Sequence, residues 1–227
     1  MDKKAWIIFS VVVVAVLGGL VYLSQSSKID VSKIDATNIQ SATDQNGQIA
    51  DHVFGKKDSK VVLIEYGDFQ CPGCGAAHPN IKAVTEKYED KIAFVFRNFP
   101  LTTIHPNARA AAAAVEAAGL EGKYWQMHDA MFQNQDSWKD LTGTQRTDTF
   151  LQYAKTLGVN EQKFTANLEK PSINKKISFD QALGKKVNVS STPTFFLNGE
   201  QLPEDVVNDI IQQDGAKLTK LLDEKLQ

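Results

Sequence analysis

The chain has 227 residues, of which 42% are hydrophobic, with 25 Lys and Arg against 27 Asp and Glu. A formal charge of −2 and the lack of a basic stripe give nucleic acid no electrostatic footing. Two cysteines in the whole chain also exclude a framework of disulfides stapling distant parts of the fold.

Residues 5 to 23, AWIIFSVVVVAVLGGLVYL, are uncharged and mostly apolar. At helical rise they span roughly 28 Å against a hydrocarbon core of about 30 Å, which predicts one transmembrane helix. A cleaved signal has a shorter apolar region and a small-residue cleavage pattern, whereas SQSSKID follows here, so the run reads as a retained anchor. Lys3 and Lys4 place residues 1–4 in the cytoplasm and everything after the span outside, by the positive-inside bias. Residues 24–51 are rich in Ser, Asp, Asn, Gln and Thr without sustained periodicity, which predicts a linker.

From His52 onward about 176 residues remain, enough for one domain with its own core. The run Val61 to Ile64 predicts a strand buried on both faces. Ala77, Ile81, Val84 and Tyr88 share one helical face, and IAFVF, 92 to 96, is a second buried strand. Strand, helix, strand in this short span is a βαβ unit with its strands parallel. Helices follow over His105 to Gly119, Lys123 to Asn134, Thr144 to Leu157, Asn160 to Glu169 and Ser172 to Lys186, with Pro106 and Gly119 as start and stop signals of the first. Strand signals return at PTFFL, 193 to 197; Asn198-Gly199 is a hairpin turn leading to a short strand near Gln201 and Leu202. Glu204 to Leu226 reads as helix broken near Gly215. The fold class is therefore α/β: βαβ over 52–102, an all-helical insert over 103–187, and ββα over 188–227.

The two cysteines lie in EYGDFQCPGCGAAH, at the turn from the first strand into its helix. That places Cys71 at the helix N-terminus and Cys74 about one turn further in. Unpaired backbone N–H groups and the helix dipole favour an anion there, which lowers a thiol pKa and supplies the thiolate that disulfide exchange requires. Pro72 fits the first helical position, where its missing donor costs nothing. Two alternatives stand beside a redox dithiol: inert thiols, and a metal site using Cys71, Cys74 and His78 in C-x2-C-x3-H spacing. His52, His105 and His128 form no second spaced pair, and a C-x-x-C inside a βαβ unit favours redox chemistry.

F-x-C-P-G-C after a buried strand, the long helical insert with NFPL, HPNARAAAAAVEAA and YWQMHDAMFQNQ, and the late STPTFFLNG together resemble the DsbA-like thiol-disulfide oxidoreductases over roughly residues 52 to 224, and in particular their membrane-anchored branch. The resemblance implies a thioredoxin fold interrupted by the helical insert, with Cys71 as nucleophile, Cys74 as resolving cysteine and Thr192-Pro193 as a cis-proline loop facing them. It implies that Glu65, six residues before Cys71, is an acidic group beneath the site that relays the proton of Cys74. It further implies exported cysteine-containing proteins as substrates, reoxidation by a quinone-linked membrane partner of the DsbB type, and no organic cofactor. Gly73 departs from the pattern, since strong oxidants of the family carry histidine there. Reduction potentials from thioredoxin to DsbA span about 150 mV, so the direction of electron flow, oxidase against reductase or isomerase, turns on such neighbours.

Trp125, Met127, Met131 and Phe132 have helical spacing and read as core. His105 and His128 read as satisfied structural histidines, with His105 able to cap a helix, and Phe69 and Phe99 are candidates to line a peptide groove.

Overall fold

A computed structural model describes residue 6 and residues 9–14, 16–17 and 29–227. It divides into two compact units, Met1–Asp30 and Val31–Gln227. In the first, the described residues from 6 to 17 are helical, with Trp6, Phe9 and Val14 among exposed apolar side chains. The expected tail 1–4 and much of the expected anchor lie outside the described residues. Among the described residues, no helix is long and apolar enough to cross a membrane.

The second unit is built on a five-stranded sheet, β1 (Val53–Gly55), β2 (Val62–Gly67), β3 (Ala93–Asn98), β4 (Thr194–Leu197) and β5 (Glu200–Gln201), in the order β1-β3-β2-β4-β5. Between β2 and β3 runs α1 (Pro72–Lys87), and these two strands are parallel, Val62 opposite Ala93 through Gly67 opposite Asn98. The other pairings are antiparallel. Helices on the sheet faces explain the nearly unbroken apolar runs of β2 and β3, because a strand covered on both sides has no face left for water. The expected face of α1 is buried at Ala77, Ile81, Val84 and Tyr88.

Between β3 and β4 lies an unbroken series of helices: α2 (Ala108–Gly119), α3 (Tyr124–Gln133), the short α4 (Gln135–Trp138), α5 (Gly143–Thr156), α6 (Glu161–Leu168) and α7 (Pro171–Lys186). After β5 come α8 (Glu204–Gln212) and α9 (Ala216–Lys225), with Gly215 between them at φ 73°. The sequence reading lacks β1 and α4. Both are too short for a hydrophobic period to develop.

The linker expectation for 24–51 is overturned from Val31 onward. Val31, Ala36, Asn46, Ile49 and Asp51 are all buried, and Asp44–Asn46 forms a 3-10 turn. Isolated aliphatics in a polar stretch act here as anchors, while basic side chains of the domain bind the segment's backbone. Lys186 Nζ donates to the carbonyls of Val31 (3.0 Å) and Ser32 (2.8 Å), and Arg97 donates to those of Ala36 and Asn38 (2.6 Å).

Asp51 is the segment's deepest tie. Its carboxylate accepts from Arg97 of β3 at 2.8 Å and from Lys176 of α7 at 2.8 Å, all three side chains being buried. Against the penalty of burial, Lys176 and then Arg97 hold this carboxyl well below the usual range. Lys176 also binds Asp180 at 2.7 Å, and Asp180 accepts from the backbone and side chain of Asn98. Asn98 and His52 in turn bind Glu116 of α2 at 2.8 and 2.9 Å. Breaking a buried pair strands a charge, so Asp51→Ala is expected to lower stability by about 3–5 kcal/mol. Asp205→Ala, which removes an exposed partner of Lys217, should have a far smaller effect because solvent screens the pair. Urea unfolding of the two variants makes the comparison; equal small losses would mean that the 31–51 segment is not part of the cooperative fold.

Candidate active site

At the end of β2 the chain turns through Asp68 to Gln70 and enters α1 with Cys71 as its N-cap residue and Pro72 at the first helical position. Cys71 and Cys74 are free thiols. Cys71 is the more exposed, 8% against 1% for Cys74, so an incoming disulfide reaches Cys71 first. Its thiol donates to the Thr192 carbonyl at 3.3 Å, which brings the Thr192-Pro193 loop against the dithiol, and the Thr192-Pro193 peptide is cis. A Cβ on Gly73 would lie 3.3 Å from Pro193 Cδ and 3.7 Å from Cys71 Sγ, so the bare glycine lets loop and helix end meet closely.

The two sulfurs have opposite electrostatics. The Cys74 thiol, acting as donor to Cys71, lowers the Cys71 pKa to about 5 against partial burial. Thr192 and the backbone N–H groups of Cys74 and Gly73 add to the effect. The Thr192 hydroxyl is buried with no hydrogen-bond partner among the described residues. Cys74 is pushed well above its ordinary value by burial, then by Cys71 and Glu65. Glu65 is buried on β2, where burial and then the Cys71 charge raise its carboxyl to about 8. The structure thus brings Cys71, Cys74, Thr192, Pro193 and Glu65 into one site.

Further residues hold the turn. The buried Asp68 carboxylate accepts from the N–H groups of Gln70 (2.7 Å) and Leu101 (2.8 Å) and pairs with His105 Nδ1 at 2.8 Å. The Asp68 N–H donates to Cys74 Sγ at 3.5 Å. Gln135 of α4 donates from Nε2 to the carbonyls of Phe69 and Cys71 at 2.7 and 2.9 Å. Gln70 accepts from the Asn107 N–H at 2.6 Å and donates to the Lys139 carbonyl at 2.7 Å. Sequence reasoning missed all of these. A buried Asp in the turn before a helix was there to be read as a backbone acceptor, but no local signal marks Gln135, 64 residues from Cys71.

Three expectations need correction. Phe69 and Phe99 are buried, at 1% and 3%, and belong to the core; Phe69 packs on Phe96 and Phe132. The His105 ring binds Asp68 instead of capping a helix, and His128 is not satisfied, since its Nε2 is buried without a partner among the described residues. Nor does His78 converge with the cysteines: among the described residues the group of three potential metal ligands is His78, His128 and Asp129. Met127, Met131 and Phe132 are core, as read.

The thioredoxin family model matches residues 48–223. A protein named Na(+)/H(+) antiporter NhaA 1 from Salinispora arenicola is 38% identical over 151 residues, 66% of this chain but 22% of that protein. The chain thus spans under a quarter of the length of that relative. Among solved structures, BdbD from Bacillus subtilis superimposes with a TM-score of 0.63 at 22% identity, over 83% of this chain and 97% of that one. MdbA of Corynebacterium diphtheriae, described as a thiol-disulfide oxidoreductase, gives 0.60 at 22% identity, over 77% and 92%. The chain belongs to the thioredoxin family, and the solved structures it resembles are DsbA-type thiol-disulfide oxidoreductases.

Proposed function

We propose that this thiol-disulfide oxidoreductase works outside the cytoplasmic membrane as a disulfide donor, passing the Cys71-Cys74 disulfide to cysteines of exported proteins. The observation that carries the direction is the low pKa of Cys71 beside the high pKa of Cys74. A disulfide cannot ionise, so whatever stabilises the Cys71 thiolate stabilises the reduced form alone and makes the disulfide a stronger oxidant. At neutral pH the effect is on the order of tens of millivolts.

In each turnover a substrate thiolate attacks Cys71 Sγ, the S–S bond breaks, and Cys74 leaves as a thiolate that takes up a proton. A second substrate thiolate then attacks the mixed disulfide on the substrate side, and Cys71 departs as its stabilised thiolate. We assign the exchange of the Cys74 proton to Glu65, which is buried with its carboxyl raised to about 8. The two electrons gained must be removed before the next cycle, and we assign that step to a quinone-linked membrane partner. The uncharged, mostly apolar run of residues 5–23 supports this setting, as does the occurrence of a similar segment within a protein named as an antiporter. Gly73 works the other way, because a histidine there would add a further partner for the thiolate.

The deciding measurement is the equilibrium reduction potential of the chain against glutathione. A value nearer about −120 mV than about −270 mV is expected, and the latter would make it a reductase supplied by a different membrane donor. With reduced Cys74→Ser and a disulfide-bonded peptide, attack by the Cys71 thiolate should expel one peptide thiolate and accumulate a stable mixed disulfide, and with Cys71→Ser none should form. Alkylation of reduced Cys71 should titrate with a midpoint near about pH 5. Since this folded pKa is depressed, its contribution to the stability of the reduced chain is present in full above about pH 9 and lost as pH falls through about 5. The oxidised chain should lack that dependence when the two are unfolded side by side.

Glu65 has the opposite sign. Its raised folded pKa leaves stability intact below about pH 4.5 and removes it as pH rises through about 8. Glu65→Gln should therefore stabilise the chain by a few kcal/mol near pH 8 and by almost nothing near pH 4, because each tenfold weakening of the acid on burial corresponds to about 1.4 kcal/mol. Denaturant unfolding at the two pH values reads the difference, and a gain that does not vary with pH would place the Glu65 carboxyl in water.

A further inference from the structure

Behind the dithiol, where α1 packs on α3, His78 of α1 meets His128 and Asp129 of α3. His78 is 7% exposed and His128 3%, and each has a buried Nε2 with no hydrogen-bond partner among the described residues. Buried imidazole nitrogens are ordinarily paired, so two orphans side by side need an explanation. His78 Nε2 lies 3.6 Å from Asp129 Oδ1, and His128 Nδ1 lies 3.4 Å from the same oxygen. One donor atom from each of the three residues falls within 4.8 Å of the others.

A tetrahedral ion with bonds of about 2.0–2.1 Å needs its donors about 3.3–3.4 Å apart. The separation of His78 Nε2 from Asp129 is already close to that, and the His128 donor lies within 4.8 Å of both, leaving one imidazole to draw in. The cluster borders a cavity of about 30 Å³ walled by Phe54, Ile81, Phe94 and Trp125. That is room for an ion with one water and too little for an organic ligand. Asp129 is the outer member, its side chain 26% exposed, so an ion has a route from solvent.

We propose that His78, His128 and Asp129 form a binding site for a borderline transition-metal ion, Zn2+ in the first instance, separate from the cysteines. Two imidazoles and one carboxylate suit zinc or cobalt and not calcium or magnesium, which take oxygen donors. Lys82 Nζ binds the other Asp129 oxygen at 2.9 Å, which fixes the carboxylate with Oδ1 toward the two imidazoles. Its positive charge also opposes the ion, so binding is weaker than at a closed four-ligand structural site.

The test uses the full chain with Cys71 and Cys74 joined as a disulfide, so that no thiolate is available, and titrates Co2+ followed by Zn2+. One equivalent of Co2+ is expected, with visible d–d bands, no thiolate charge-transfer band, and displacement by Zn2+. Asp129→Asn, an isosteric change at the outer position, should weaken binding at least about tenfold, and His128→Gln likewise. Circular dichroism checks that each variant is folded. No binding by the oxidised chain, unchanged affinity in Asp129→Asn, or a signal that appears only on reduction with thiolate character would each overturn the assignment. Disulfide exchange enters none of these readings, so the site and the proposed activity stand or fall separately.

Discussion

The hydrogen bond from the Cys74 thiol to the Cys71 sulfur persists only while Cys74 keeps its proton, and the surroundings of Cys74 are those that make it do so. Burial denies its thiolate solvation, and the buried Glu65 and Cys71 itself add like charge to any ionised form. Cys71, one turn nearer the helix end, is offered the reverse: N–H groups, the Thr192 loop and the helix dipole. Reactivity is therefore assigned by depth along a single helix. Any change that let water reach Cys74 would blur both roles together.

That depth is set from outside α1. Gln135 and Gln70 tie the turn before the helix to the α3 to α5 region, and Asp68 ties it to the segment after β3 through Leu101 and His105. The helical insert is thus a second wall of the active site, and its short helix α4 donates directly to the Cys71 carbonyl. Behind the sheet, the Arg97, Asp51, Lys176 and Asp180 network binds β3, α7 and the 31–51 segment together. Buried charges of this kind contribute little net stability but penalise misplacement heavily, because each displaced partner strands another. The network consequently fixes where the insert sits against the strand that precedes the Asp68 contact.

What could be read in the sequence follows from range. Buried strands, an amphipathic helix and a C-x-x-C at a strand-to-helix turn are patterns within ten or so residues, and the βαβ order, the helical insert and the placement of Cys71 and Cys74 at a helix start were all legible from them. Glu65 was singled out through the family resemblance, by its place six residues before Cys71. The 31–51 segment was misread because its composition is that of a spacer, while its attachment rests on Lys186, Arg97 and Lys176, each over 45 residues away in the chain. Phe69 and Phe99 were misplaced for a related reason: proximity to the cysteines in sequence says nothing about which side of the turn a ring packs on. His78 looked like a partner of Cys74 because both lie on α1, yet the ring meets α3 instead.

Glu65 links redox state to proton count. In the dithiol form burial raises its pKa, and the Cys71 charge raises it further. Forming the disulfide removes that charge, so the carboxyl becomes more acidic just as Cys74 must lose its own proton. Reduction reverses both changes, returning a negative charge to Cys71 and drawing a proton back toward Glu65. A buried carboxyl whose affinity for a proton rises with the Cys71 charge thus ties its own protonation to the redox state of the pair. The burial that keeps Cys74 protonated is the same burial that raises Glu65, so the two shifts have one cause.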